Sequence, residues 1–596
     1  MFNRDGQPVD RNLLDCLVQT LKFRGPDAQN TWQEKAVGLG HTLLAITLEA
    51  TNATQPLTID DQVYLVADIR LDGREALQSQ LHRASTSLPN TASDAQLFLH
   101  AYLTWDTSCL SQLQGDFCFI LWDKRQQRLW CGRDQLGIRP LYYSAIDNAL
   151  IISNTLRCIQ QHPQVSSALN ESAIADFLLF GFNHQPETTT FADIQRLPPG
   201  HTLIATHNAL KIERYWQLPV PKLCRYRQPR DYIAQFQWHL DQAVRDRTRL
   251  PQAAVFLSGG LDSAAMAASA LAAQPDLQLQ GLTVMYEHLI PDSEPSYAQQ
   301  VAQSLNIPLD FLRADEAKLC AGSYLTPEPS LQLFPDVDQR QYRWAAQHAR
   351  VVLYGQGGDE GMRPSTVRQL WGRLPWLTIL NGIWQTYWCH GYWPHWGTGL
   401  RGWGRQKANP WHGYPSWLNP DIERRLSLRD RWLTITQKMT EPCPHRWRSQ
   451  AYESLLHPLW QLNFESNDAG VQGQSVAVMF PYLDLRLLDY LLSLPPYPWF
   501  RDKLLAREAL RLRPQIPRML IERPKTPLGG HPFWAHLQRG VNPWQGVTWG
   551  EAIADYVAID ALNLVTTKPT QDFGTSWAAL RPIFLQQWLA GHNVGR

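Results

Sequence analysis

Through the first two hundred positions the chain sets short apolar runs between glycines and aspartates. Val63–Ile69 (VYLVADI) and Phe117–Trp122 (FCFILW) are rich in β-branched and aromatic residues, which predicts strands. The stretch Tyr215–Tyr232 (YWQLPVPKLCRYRQPRDY) mixes prolines with basic residues and predicts a linker. From Ala253 onward the pattern changes. The short runs AAVFL, LQGLTVMY and ARVVLYG alternate with alanine-rich helical stretches, which predicts a parallel sheet with ligands at the carboxyl ends of its strands. At 596 residues the chain exceeds one hydrophobic core. The expected domains are 1–214 and 233–596, joined by 215–232, the first strand-rich and the second of α/β type.

Two turns carry candidate chemistry. The first strand runs into Ser258, Gly259, Gly260, Leu261, Asp262 and Ser263 and then into a helix. Strand, Gly-Ser turn and helix aim free backbone N–H groups at an anion, usually phosphate. Asp262 would repel phosphate unless a cation lay between, and Mg²⁺ bound by carboxylate and phosphate oxygens is the ordinary solution. Alone, the loop also fits a capped turn. The third strand ends in GQGGDE, Gly355–Glu360, a second glycine turn with an aspartate. Neighbouring strands would bring Asp359 near Asp262.

Composition narrows the partners. The net charge of +1, with only 18% charged residues, argues against a nucleic-acid footprint. No signal core or apolar span appears, so a cytoplasmic protein without membrane association is expected. Nine scattered cysteines without a C-x-x-C pair suggest buried, reduced thiols and no zinc site. Nine tryptophans fall between Trp371 and Trp417. They fit either padding in a helical subdomain or an adaptable aromatic surface for a peptide or partner protein. Interfacial membrane contact is a third reading.

With both turns in hand, the chain resembles the asparagine synthetase family, whose members activate a carboxylate as an acyl-adenylate. FRGPD (23–27) and GRDQLGIRPLYY (132–143) are similar to its N-terminal glutaminase-type domain. FPYLDLRLLDYL (480–491), KLLAREAL (503–510) and RPKTPLGG (523–530) are similar to the end of its synthetase domain. The resemblance implies an Ntn-type sandwich followed by an ATP-pyrophosphatase domain, using ATP and Mg²⁺. It places ATP against Leu257, Ser258–Ser263, Val284 and Gly355, and the metal on Asp262 and Asp359. Lys503 would lie near the phosphates, and Lys525 would stabilise charge at the reacting centre.

The departures point to a different nucleophile. Glutamine-dependent members begin Met-Cys, and the cysteine releases ammonia from glutamine. Here position 2 is Phe2, which has no nucleophilic atom, and Cys16 is not N-terminal. The family's Asn-Gly oxyanion pair is replaced by Ala67 and Asp68, and a carboxylate opposes an oxyanion. Two branches resembling the chain have lost that cysteine: β-lactam synthetases and lasso peptide cyclases, both of which use the substrate's own amine. Gln356 stands where related enzymes carry Glu or Tyr and cannot act as a base. Resemblance to β-lactam synthetases therefore carries the base to Glu465, upstream of Pro481.

The run YEHLIPDSEPSYAQQVAQSLNIPLDFL (286–312) resembles the lasso peptide cyclases more closely. The expected activity is ATP-dependent formation of a macrolactam between a peptide's N-terminal amine and an Asp or Glu side chain. A leader peptidase or leader-binding protein is an expected partner. The alternatives are a ligase with a small substrate, namely a β-lactam synthetase or an ammonia-using asparagine synthetase, or a non-catalytic peptide-binding subunit. A tRNA-modifying enzyme would need the basic surface and cysteine pairs that the chain lacks.

Overall fold

The computed structural model describes residues 1–51, 53–84, 88–89, 91–320, 326–391, 413–438, 443–523, 530–566 and 573–592. Two antiparallel sheets form the N-terminal part. One orders the strands Ala28–Glu34, Val37–Leu43, Phe2–Asn3, Ala149–Ser153, Tyr142–Ile146 and Gln195–Arg196. The other orders Leu210–Arg214, His201–Ala205, Arg128–Arg133, Gly115–Asp123 and Val63–Leu71.

Period-two alternation assigns each residue to a face. Tyr64, Val66, Cys118 and Trp122 meet Phe2, Val37, Leu39 and Leu150 between the sheets. Their neighbours Leu65, Ala67, Phe117 and Phe119 turn outward onto Leu97, Phe98 and Tyr102 of the helix Asp94–Trp105. That helix begins with a capping box in which the Ser93 and Gln96 side chains each take a backbone N–H of the other. The result is a sandwich with helices on its outside. The stretch expected to be a linker has no helix or strand until Pro229, where the helix Pro229–Arg245 begins.

The C-terminal part is built on a five-stranded sheet, all parallel, in the order Leu309–Arg313, Gln278–Met285, Gln252–Phe256, Val351–Leu353, Ala477–Met479. The strand Gln252–Phe256 is central, with Ala254 opposite Gln280 on one side and Val352 on the other. Its alanines let the helix Leu261–Ala273 pack close, and Ala264, Met266, Ala267 and Ala270 are completely buried against the sheet.

Buried ion pairs join the two parts. Arg247 Nη1 lies 3.2 Å from Asp72 and 2.9 Å from Asp484, and Arg70 bonds both Asp72 and Asp116. Burial opposes ionisation of Asp72, yet Arg247 and Arg70 outweigh it and hold its pKa well below the carboxylate range. These groups are buried charges whose partners come from opposite domains, so losing one would leave the others uncompensated.

Candidate active site

The strands Gln252–Phe256 and Val351–Leu353 are adjacent and parallel, so both glycine turns leave the same edge of the sheet. In the first turn Gly259 has φ +65°, and a Cβ there would lie 2.6 Å from the Glu294 carbonyl oxygen. Only glycine fits that position. Ser263 Oγ receives the Ser258 backbone N–H at 3.2 Å and fixes the turn's curvature. Leu257 and Val284 lie at the carboxyl ends of neighbouring strands, where Thr283 Oγ1 donates to the Leu257 carbonyl.

The second turn presses on the first. Gly357 has φ +93°, with Leu483 Cδ2 only 2.6 Å from where a Cβ would stand. A Cβ on Gly358 would lie 2.9 Å from Asp262 Oδ2, and one on Gly355 3.8 Å from the Asp262 Cβ. A side chain at 358 would displace the Asp262 carboxylate.

Lys503 ties the turns together. Its Nζ bonds Asp262 Oδ2 and lies 2.7 Å from Asp359 Oδ1. Burial alone would depress the Lys503 pKa, but the two aspartates outweigh it and hold it above the ordinary lysine value. Asp502 and Lys503 both have positive φ, 46° and 55°, a reversal that non-glycine residues rarely adopt. This bend delivers the lysine to the turns. Asp359 is 53% exposed and Asp262 18%, so the pair opens on one side.

Two residues missed by the sequence reading brace the site. Tyr482 donates its hydroxyl to the Asp262 backbone carbonyl at 3.1 Å. Arg448 donates to the carbonyls of Gly361 (2.6 Å) and Arg363 (2.7 Å), holding the segment after Asp359, while its guanidinium stacks on Phe500. Tyr482 lies inside a motif already singled out; nothing in the sequence marks Arg448.

A groove of about 1150 Å³ is lined by Glu360 and Arg363, by Arg431, Glu453 and His457, and by His184 of the sandwich domain. Its lining carries both signs of charge.

Glu465, expected as the base, is engaged with an arginine. It sits on the helix Leu459–Ser466, 1% exposed, and accepts from Arg196 Nε at 2.7 Å and Nη2 at 3.1 Å. Arg196 Nη2 also reaches Glu328 at 2.7 Å. The carboxylate is therefore committed to a buried Glu–Arg–Glu cluster in the seam between the domains. The spacing from Glu465 to Pro481 carries no information about an arginine 269 positions away. Lys525 lies outside the described residues.

The front domain holds a second concave site. A cavity of about 190 Å³ is lined by Arg24, His41, Asp68, Cys118, Arg139 and Asn154. Phe2, fully buried, packs its ring 5.4 Å from Trp122. Asp68 lies 3.5 Å from Arg139 and 4.0 Å from Arg24, which also bonds Asp468 from the other domain. Burial pushes the Cys118 thiol far up, so it stays protonated and inert. His41 is depressed to about 4 by burial, against the pull of Asp68.

The family model described as "Asparagine synthase" matches residues 235–589. The chain belongs to this family. Residues 3–216 match "Glutamine amidotransferase domain". Asparagine synthetase [glutamine-hydrolyzing] 3 of Bacillus subtilis is 29% identical over 44% of this chain and 42% of its own length. Asparagine synthetase [glutamine-hydrolyzing] 2 of the same organism is 27% identical over 59% and 49% respectively. Amidase chry2 of Gibberella zeae is 28% identical over 60% and 56%. The chain thus spans about half the length of these curated relatives. Among the described residues no helix is long and apolar enough to cross a membrane.

Proposed function

We propose that this member of the family is an ATP-dependent, AMP-forming amide ligase whose nucleophile is an amine of its own substrate, in the manner of a lasso peptide cyclase. The observation that carries this reading is Phe2. It fills the place of the family's nucleophilic cysteine with a buried ring, while the two-turn site behind it keeps Asp262, Asp359 and Lys503.

The turn Ser258–Ser263 offers backbone N–H groups at a helix start to the nucleotide phosphates, beside Leu257, Val284 and Gly355. Among the described residues no cluster of three or more His, Cys, Asp or Glu side chains forms a metal site. Two carboxylates completed by phosphate oxygens do suit Mg²⁺, and Asp262 and Asp359 would hold it. Bound there, Mg²⁺ would offset charge on the phosphates. Lys503 supplies a fixed positive charge at the same point.

A carboxylate oxygen of the substrate attacks the α-phosphorus, and the bond to pyrophosphate breaks. The substrate amine then attacks the acyl carbon; a C–N bond forms, the C–O bond to AMP breaks, and the amine's proton passes to solvent as AMP leaves. Lys525, by its match to the family lysine, would offset the oxyanion of that step. Glu465, bonded to Arg196, holds the domain seam in this account and does not take the proton. A peptide folded back on itself would bring amine and acyl-adenylate together, and the groove that starts at Glu360 and Arg363 is the candidate seat for it.

The test incubates the protein with ATP, Mg²⁺ and a library of linear peptides that have free N-termini and one internal Asp or Glu. A product lighter by one water, with equal AMP and pyrophosphate, is expected. Turnover with aspartate and ammonia, and none with any peptide, would instead give the family's small-substrate reading suggested by the relatives' names.

A further inference from the structure

The helix Trp376–His390 is apolar on two faces. Ile379 and Ile383 pack inward on Val367, Leu370 and Tyr497. The opposite face is exposed and is also apolar. Trp376 is 61% exposed, Leu377 62%, Leu380 50%, Trp384 57%, Tyr387 39% and Trp388 70%, and Trp371 just before the helix is 67% exposed. Residues 376, 380, 384 and 388 recur every fourth position, so these side chains form one stripe along the helix. Scattered exposed apolar residues are ordinary, but a contiguous row of large ones marks an interaction site.

Shape and charge select the occupant. The indole rings stand out from the surface, and none of them lines the groove or the front cavity, so the stripe suits a flat target better than an inserted chain. The sequence from Gly361 to Pro420 has five arginines and one lysine and no aspartate or glutamate in sixty residues. The chain as a whole carries a net charge of only +1, so this excess is local. Exposed Trp and Tyr on a helix preceded by Arg363, Arg368 and Arg373, in a described stretch (361–391) without Asp or Glu, are what an anionic lipid interface favours: rings at the headgroup level and Arg against lipid phosphates.

We propose that this helix docks the protein on an anionic membrane surface, lying in the plane of the headgroups without spanning the bilayer. The lack of a long apolar span argued against membrane association and the tryptophan run left interfacial contact as one reading, because a search for spans does not detect a helix that lies on the surface. The proposal is independent of the assigned reaction.

The test is flotation of the full chain with phosphatidylcholine vesicles, with and without phosphatidylglycerol, at low and high salt. The same measurement is made on a Trp376→Ser/Trp384→Ser/Trp388→Ser variant, and circular dichroism verifies that its fold is retained. Flotation with the anionic vesicles, weakened by salt and reduced about tenfold or more in the variant, is expected from the loss of buried aromatic surface. Failure to float with either vesicle, or equal flotation of the variant, overturns the proposal. So does a lipid-free dimer that dissociates in the variant while neither protein floats, since the stripe would then face a second copy. If the variant only loses affinity for a peptide substrate, with no vesicle binding in either protein, the surface belongs to peptide recognition and the proposal fails.

Discussion

The front cavity and the two-turn site of the rear domain handle charge in opposite ways. In the front cavity Asp68 is matched by Arg139 and Arg24, and Arg24 by Asp468, while Phe2 fills the core beside it. At the rear site Lys503 faces two carboxylates, and Asp359 remains half exposed at the mouth. Charge is balanced pairwise in the first site; in the second, two carboxylates share one lysine. The sandwich keeps its packing around Phe2 and its ion pair to the neighbouring domain through Arg24 and Asp468.

The contrast breaks most readily at the rear site. Asp262→Ala, Asp359→Ala and Lys503→Ala should each lower substrate-dependent pyrophosphate release by more than about a hundredfold, the usual scale for removing a catalytic electrostatic contact. Circular dichroism should be unchanged. Near-normal release by any of the three would remove that residue from the site.

Between the domains, Arg196→Leu leaves Glu328 and Glu465 buried without their shared partner. A loss of about 3–5 kcal/mol in unfolding free energy is expected, the range for breaking a buried ion pair by removing one side. Glu465→Gln should cost less. It should also leave the pH profile of product formation unaltered. Recovery of a lost rate at high pH would instead restore Glu465 as the base.

In the front domain, Phe2→Ala should cost about 3–5 kcal/mol as a buried aromatic truncation, without changing adenylation per folded molecule. Phe2→Cys should not create glutamine hydrolysis, because Asp68 still faces the cavity.

The smallest effect concerns pH. Burial holds His41 and His184 neutral, each depressed to about 4 from the ordinary value near 6.5. The unfolded chain takes up these protons first as pH falls, so stability is full above about 6.5 and is lost on the way down to 4. The Tm should be lower at pH 5 than at pH 7, and His41→Gln should shrink the difference. A Tm that does not change between these pH values would contradict the assigned burial.

What the sequence revealed depended on distance along the chain. The turns at 258–263 and 355–360 could be read because strand, glycines and aspartate lie together, and the parallel pattern of strands implied that they meet. Phe2 could be read as an apolar residue at the chain's second position, and the structure buries it. The pairing of Glu465 with Arg196 could not, since the partners are 269 residues apart and meet only in the seam. The left-handed bend at Asp502 and Lys503 was also hidden, because neither residue type announces positive φ. The tryptophan region was ambiguous because both faces of its helix are apolar, so periodicity could not tell the buried Ile379 from the exposed Trp384.

The most direct test of the central claim measures glutamate released from glutamine in the presence of Mg²⁺ and ATP. The account predicts no release above background, and pyrophosphate formation that does not respond to glutamine. Sustained glutamate release that is lost on changing a front-cavity residue such as Asp68 would contradict it.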